Sequence, residues 1–413
     1  MLVKQSLQSE PWLNAPATRV VMDALIADGG DARFVGGCVR NALLGMPVDD
    51  IDIATPLTPG DVIKRAEAKG LRTVATGPDH GTITVISGSM PFEVTTLRRD
   101  VSTDGRRATV AFTADWAEDA ARRDFTINAL YADIHGNVYD YSTGLIDLRA
   151  GRVRFIGSAD QRIAEDYLRI LRLFRIHALY GRDEIDADGL RACADARDHI
   201  QSLSGERIQR EMLKLLAANE PVAVIRTMAA TGVLSQLLPG ELLFDRFKAI
   251  CLTDCDHFFN ADAVLRLGAL LSDDVSVRKV ATRWRLSNED RDRLIHMHSN
   301  GVKIVSYLSI RDVRRALYKV GVAPFKDLVR LRWAEDAKPS NGMQWRTLLA
   351  LADGWVKPSL PLSGRDVMLA GVPHGPLVGR VLSEVEEWWV DSDFTDDPFS
   401  IAERLKAVVQ AIV

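Results

Sequence analysis

Cysteine is scarce. The 413 residues include four, Cys38, Cys193, Cys251 and Cys255, too few and too scattered for a disulfide framework. Cys251, Cys255 and His257 lack a fourth ligand, so they read as core cysteines before they read as a zinc site. No apolar run approaches the length needed to cross a bilayer. The first residues, MLVKQSLQSEPWLNAP, have no apolar stretch of the kind a signal peptide carries. No His-Asp doublet occurs, so a phosphohydrolase domain built on one is not expected. Low-complexity segments and fixed-period repeats are missing too. What remains is an ordinary globular composition, 47% hydrophobic and 26% charged, long enough for two to four domains. A cytoplasmic enzyme is the expectation, with no membrane association and no protein partner implied.

Charge of one sign is also lacking overall. The formal net charge is −4, which does not mark a nucleic-acid binder. Its distribution is uneven. From Arg278 to Lys338 there are 15 Lys/Arg against 7 Asp/Glu, and from Ser383 to Asp397 there are 7 acids and no base. The basic stretch suits a phosphate backbone, and it equally suits a solvated helical surface.

The run GGCVRNALLGMPVDDIDIAT, from Gly36 to Thr55, carries the first chemical signal. A glycine pair after the apolar strand Arg33–Val35 lets a turn approach phosphate closely. Asp50 and Asp52 stand at i and i+2, so on a strand they share one face, with Ile51 and Ile53 on the other. Two carboxylates beside such a turn suit Mg²⁺ bridging a nucleotide's phosphates. Glu93 lies in Pro91-Phe92-Glu93-Val94-Thr95, alternating with apolar neighbours. It reads as a third carboxylate or as a buried acid paired with Arg98 or Arg99. Two further blocks follow, RRDFTINAL from Arg122 and EDYLRILRLFR from Glu165. In the second, Asp166, Arg169, Arg172 and Arg175 recur every three residues along one expected helix over 164–178. Arginines on one side of a helix repel unless an anion sits there, and a triphosphate is such an anion.

Strands are expected at Arg33–Val35, Ile51–Ala54, Thr82–Ser87 and Phe92–Thr96, the last two flanking a turn at Gly88-Ser89-Met90-Pro91. Helices are expected over 1–30, 39–44 and 59–69. Beyond about 150 helical periodicity takes over, as in Glu206–Ala217, Pro221–Thr231 and Arg311–Tyr318. The segment Arg98–Arg107 reads as a polar, mobile loop, and Trp388-Trp389 as packing.

In their order along the chain these blocks resemble the class II CCA-adding enzyme and poly(A) polymerase family of the polymerase-β-like nucleotidyltransferases. The resemblance implies an α+β protein. A nucleotidyltransferase head over 1–150 would precede an all-α neck (151–215), body (216–345) and tail (346–413). It implies addition of the 3′-terminal CCA to tRNA from CTP and ATP without a template, with poly(A) polymerase or CC-only or A-only addition as alternatives. A non-catalytic RNA-binding protein on the same fold is the distant one. Asp50 and Asp52 would hold Mg²⁺, with Glu93 as the third carboxylate. Gly36, Gly37, Arg40, Arg172 and Arg175 would position phosphates. Arg123 and Asp124 would hold the ribose, and Asn128 would brace the loop or the sugar. Asp166 and Arg169 would read the base. Family members often carry Asp where this chain has Asn41. YDYSTGLIDLRAG, closing on Gly151, resembles the hinge between head and neck, and His80 fits an HGT element. ERIQRE, from Glu206, resembles a neck-supporting helix start, and the Pro361–Leu382 segment resembles the family's tail.

Overall fold

The computed structural model describes residues 3–4, 6–77, 81–103, 108–257, 259–299, 301–336 and 338–412. His80 lies outside the described residues, as do 104–107 of the expected loop. Two compact units emerge, Met1–Pro239 with Arg283–Arg285, and Gly240–Thr282 with Leu286–Val413.

The first unit is built on a seven-stranded sheet in the order β3-β4-β5-β2-β1-β8-β9. Its strands are β1 (Arg33–Val35), β2 (Asp52–Thr55), β3 (Arg72–Gly77), β4 (Thr82–Ser87), β5 (Met90–Thr96), β8 (Leu130–Ala132) and β9 (Val138–Asp140). A separate ribbon pairs β6 (Arg98–Thr103) with β7 (Ala108–Phe112). Burial alternates strictly along β4, as period-2 side-chain geometry requires of a half-covered strand. Ser87 pairs with Met90, so the hairpin turns on Gly88-Ser89 alone, with Gly88 at φ +63°. Among the described residues only β2 and β5 run parallel, and their register sets Asp52 opposite Glu93 and Ile53 opposite Val94. Ile53 and Val94 are both fully buried. The apolar pair faces the core and the acidic pair faces the other way.

The helices of this unit include α1 (Pro16–Ile26), α2 (Gly37–Leu43), α3 (Pro59–Ala68), α4 (Trp116–Ala121), α5 (Gly144–Ala150), α6 (Ala159–Glu165), α7 (Leu168–Tyr180) and α8 (Gly205–Leu216). The Thr58 hydroxyl caps α3 by accepting from the Asp61 amide, with Pro59 preset for the first turn. The hinge-like segment is tightly tied. Asp140 accepts from the amides of Ser142, Gly144 and Leu145, and a side chain at Gly144 would strike the Thr126 carbonyl.

Three expectations need correction. Arg98–Thr103 is not a loop but a strand, paired through β7 by backbone bonds that require no apolar face. The single helix expected over 164–178 is two, because the chain extends at Asp166 (φ −155°, ψ 107°) between α6 and α7. One helix expected over the first thirty residues is a four-residue turn, Pro11–Asn14, followed by α1, because Pro16 restarts the chain after an extended Ala15.

In the second unit the helices α9 (Phe244–Asp256), α10 (Ala263–Leu270), α11 (Ile310–Val320), α12 (Val322–Glu335), α13 (Gly342–Asp353) and α14 (Pro376–Asp391) are among those present. Phe325, Leu328, Val329, Trp333, Trp345 and Leu348 form a core cluster there. Trp389 packs as expected, buried, its indole N–H donating to the Thr395 carbonyl at 2.8 Å. The basic and acidic runs meet. Arg314 pairs with Asp393 at 2.7 Å and Arg315 with Asp391, while the Tyr318 hydroxyl donates to Glu386. Deeper, Asp254 is shared by Arg266 at 3.0 Å and Arg330. No helix among the described residues is long and apolar enough to cross a membrane.

Removing the shared buried carboxylate and removing an exposed one should differ sharply. Asp254→Ala takes the shared carboxylate away from the Arg266 guanidinium, 3% exposed, and from Arg330, and is expected to cost about 3–5 kcal/mol. Asp391→Ala breaks a pair whose side chains are 45% and 61% exposed and should cost under ~1 kcal/mol. Urea unfolding followed by tryptophan fluorescence reads both.

Candidate active site

The glycine turn lies between β1 and α2. Gly36 adopts φ +75°, ψ −120°, a conformation that side chains other than glycine's resist. Its amide donates to the Leu130 carbonyl at 3.1 Å. A Cβ built there would lie 3.5 Å from the Asn128 carbonyl and 3.9 Å from Arg123 Nη1. The turn and the RRDFTIN block, remote in sequence, are thus neighbours in space. Beside them stands the acidic face of the β2–β5 junction. Parallel strands in register bring Asp52 and Glu93 side by side, and Glu93 is exposed. The alternative of a buried Glu93 tied to Arg98 or Arg99 therefore fails. Asp50 is exposed and precedes the strand, so it is a loop carboxylate rather than a strand partner at i−2. Burial, then Glu93 and Asp50, push the Asp52 carboxyl up to about 6, against the pull of Arg123. Among the described residues no ion pair joins Asp50, Asp52 or Glu93 to a cationic side chain. A half-buried carboxylate raised by burial and by two acidic neighbours belongs to a donor set that a hard divalent cation suits.

The guanidinium of Arg40 is buried and fully engaged. Nη1 donates to Asn128 Oδ1, Nη2 to the Tyr180 hydroxyl at 2.7 Å, and both Nε and Nη2 to Asn41 Oδ1 at 3.2 and 2.9 Å. Burial lowers its pKa, partly offset by Tyr180. Arg123 does not orient Asp124. It turns instead to Asp119, at 3.1 Å from Nη2, and to the Tyr131 hydroxyl.

Asp119 is the residue that sequence reasoning missed. Sitting on α4, 1% exposed, it receives Arg122, Arg123 and the Tyr131 hydroxyl. Burial would raise its carboxyl, but Arg123 and Arg122 overcome that and hold it at about 2. The spacing of Asp119 to Arg122 and Arg123, at i+3 and i+4, was the available signal.

Asp124 is oriented from elsewhere. Its Oδ1 accepts from the Phe125 amide at 2.8 Å and Asn128 Nδ2 at 3.2 Å. Its Oδ2 lies 2.7 Å from Arg172 Nη2, an ion pair without hydrogen-bond alignment. Burial opposes its ionisation, but Arg172 foremost holds its pKa down.

The three arginines of α7 each find a carboxylate of the protein. Arg169 pairs with Glu165, Arg172 with Asp124, and Arg175 with Glu211 of α8 at 2.5 Å. Steps of three residues rotate around the helix, so they reach three different neighbours and do not form one anion-seeking row. Asp166 lies outside α7. Its Oδ1 accepts from the Leu168 amide, and its Oδ2 from Arg207 at 2.7 Å. Arg169 also donates to the carbonyls of Arg162 and Arg122, at 2.8 and 3.3 Å.

Residues 32–154 match the model of the poly A polymerase head domain, and residues 184–241 that of the probable RNA and SrmB-binding site of polymerase A. The chain is 32% identical to human mitochondrial CCA tRNA nucleotidyltransferase 1 over 95% of its own length and 91% of the relative's. It is 34% identical to the CCA-adding enzyme of Streptococcus sanguinis, over 91% of this chain and 93% of that one. The fold matches the crystal structure of Bacillus stearothermophilus CCA-adding enzyme in complex with CTP, with TM-score 0.76 and 25% identity. That match covers 96% and 99% of the two chains.

The raised Asp52 carboxyl predicts a pH-dependent penalty. The folded chain binds this proton more tightly than the unfolded chain, whose ordinary value is 3.8. The stability it contributes is full below pH 4 and is lost as pH rises through 6. Without divalent cation, Asp52→Asn should therefore raise the Tm by about 2–4 °C at pH 8, and the gain should shrink at pH 5. Adding a divalent cation at pH 8 should stabilise the wild type and not the variant. Differential scanning calorimetry reads both.

Proposed function

The chain belongs to the family of class II CCA-adding enzymes and poly(A) polymerases, and on that premise we propose how this tRNA nucleotidyltransferase works. It adds the 3′-terminal CCA to tRNA from CTP and ATP and releases pyrophosphate. The observation that carries the mechanistic reading is the pairing of Asp52 with Glu93 on one sheet face, beside the Gly36 turn, without a cationic partner among the described residues.

Asp50, Asp52 and Glu93 would hold Mg²⁺. Held there, a divalent cation would supply the charge that lowers the pKa of the attacking 3′-hydroxyl and offsets that of the departing pyrophosphate. The backbone of Gly36 and Gly37 approaches the phosphates, since no side chain intervenes. Arg40, Arg172 and Arg175 border them from α2 and α7, with Arg172 also fixing Asp124. Arg123 and Asp124 hold the ribose, Asp124 accepting from the 2′-hydroxyl that separates ribo- from deoxyribonucleotides. Asn128 braces both through Arg40 and Asp124.

Asp166 and Arg169 read the base. An ionised carboxylate has lone pairs to spare beyond its bonds to Arg207 and Leu168. It accepts from the exocyclic amine that C and A share, while Arg169 donates to the ring acceptor. U and G do not present that pattern. The head over 1–150 carries the chemistry, the neck over 151–215 the base selection, and the body (216–345) and tail (346–413) the tRNA. A cytoplasmic location fits these substrates.

The decisive experiment is incorporation on three tRNA transcripts, ending before CCA, after C and after CC, with CTP, ATP or both and Mg²⁺. Growth by CCA and then arrest is expected. Arrest at CC, A addition to the CC end alone, or a long A tail would each replace this reading with a narrower or different polymerase. Asp52→Ala should lower transfer by at least about 10³-fold while tRNA binding by gel shift is retained. Arg169→Ala should admit UTP and GTP in the same assay.

A further inference from the structure

We propose that Tyr180 is a positioning residue for nucleotidyl transfer, holding the Gly36–Gly37 turn against helix α7 through Arg40 and Asn41. This rests on the nucleotidyl-transfer reading above. Tyr180 closes α7, the helix whose first turn carries Arg169. Its ring covers the Arg40 guanidinium at 3.9 Å. Its hydroxyl accepts from Arg40 Nη2 at 2.7 Å and donates to Asn41 Oδ1 at 3.0 Å.

The opposite arm of Arg40 closes a ring. Nη1 donates to Asn128, whose amide donates to Asp124 at 3.2 Å, and Asp124 pairs with Arg172 on the same helix α7. Two positions of α7 eight residues apart, about 12 Å along its axis, therefore converge on Arg40 of α2. One grip is the Arg172–Asp124–Asn128 chain. The other is Tyr180 alone. With both closed, a shift of α2 relative to α7 strains the Arg40 contacts with Tyr180 or with Asn128.

Asn41 explains why a tyrosine hydroxyl matters here. A carboxylate at that position would meet Arg40 with a full charge and bind it strongly. The neutral amide offers one oxygen, and that oxygen serves three donors, Arg40 Nε, Arg40 Nη2 and the Tyr180 hydroxyl. The hydroxyl oxygen supplies the second acceptor for Nη2, whose other N–H is left to the shared Asn41 oxygen. Because Arg40 is 7% exposed, water does not readily replace a lost acceptor, and an unpaired buried donor is costly.

Tyr180→Phe removes the hydroxyl and keeps the ring over Arg40. It is expected to raise KM for CTP and ATP by about three- to tenfold, with kcat changed by less than about twofold. In an Asn41→Asp background the carboxylate takes over the hydroxyl's work, so the same change should alter KM by less than about twofold. A merely structural role would lower the Tm equally in both backgrounds and leave KM alone. Unchanged KM in Tyr180→Phe, or an equal KM penalty with Asn and Asp at 41, overturns the proposal while wild-type transfer upholds the function. A wild-type chain that adds no nucleotide to tRNA overturns both.

Discussion

Carboxylates that have no cationic partner among the described residues govern the arrangement of the N-terminal unit. Asp52 and Glu93 stand side by side because two strands run parallel in one register, and Asp50 approaches from the preceding loop. The unit is rich in arginine, and a single guanidinium swung onto Asp52 would discharge the cluster. A second set of carboxylates prevents that. Asp119 holds Arg122 and Arg123, Asp124 holds Arg172, Glu165 holds Arg169, and Glu211 holds Arg175. Each of those pairs is local or fixed by helix packing, so the cations stay near the site without collapsing into it.

Much of this geometry was legible in the order of residues. β1 and β4 fall where alternation and flanking glycines predict them, and the glycine turn, the RRDFTIN block and the start of α7 do converge on one unit. Beyond residue 150 the named elements among the described residues are helices. Other elements left weak traces. β3 is an edge strand with Val74 exposed, so it has no clean apolar face. The β6–β7 ribbon is held by backbone bonds, and its first strand carries the polar letters of a loop.

The site was legible as a set of residue types and less so as a set of pairings. Period-3 spacing in EDYLRILRLFR suggested one charged row, whereas the chain extends at Asp166 and the arginines diverge around α7. Partner identity depends on which elements pack together, and Glu211 lies 36 residues beyond Arg175. Asp119 shows the reverse case. Its spacing to Arg122 and Arg123 was plain, but an acid in a short helix draws no notice until its burial is known. Arg40 shows a third. Nothing local told that its donors would be divided among Asn41, Asn128 and Tyr180.

In the second unit the acidic run from Glu384 to Asp397 lies against part of the basic run. Arg314 and Arg315 are met by Asp393 and Asp391, and Tyr318 by Glu386. The acidic segment is thus a built-in counterion. A polyanion arriving at those arginines displaces a tethered carboxylate instead of releasing a free salt ion. Tethered anions do not dilute into the buffer. Binding at that surface would therefore depend on salt less steeply than its count of arginines implies.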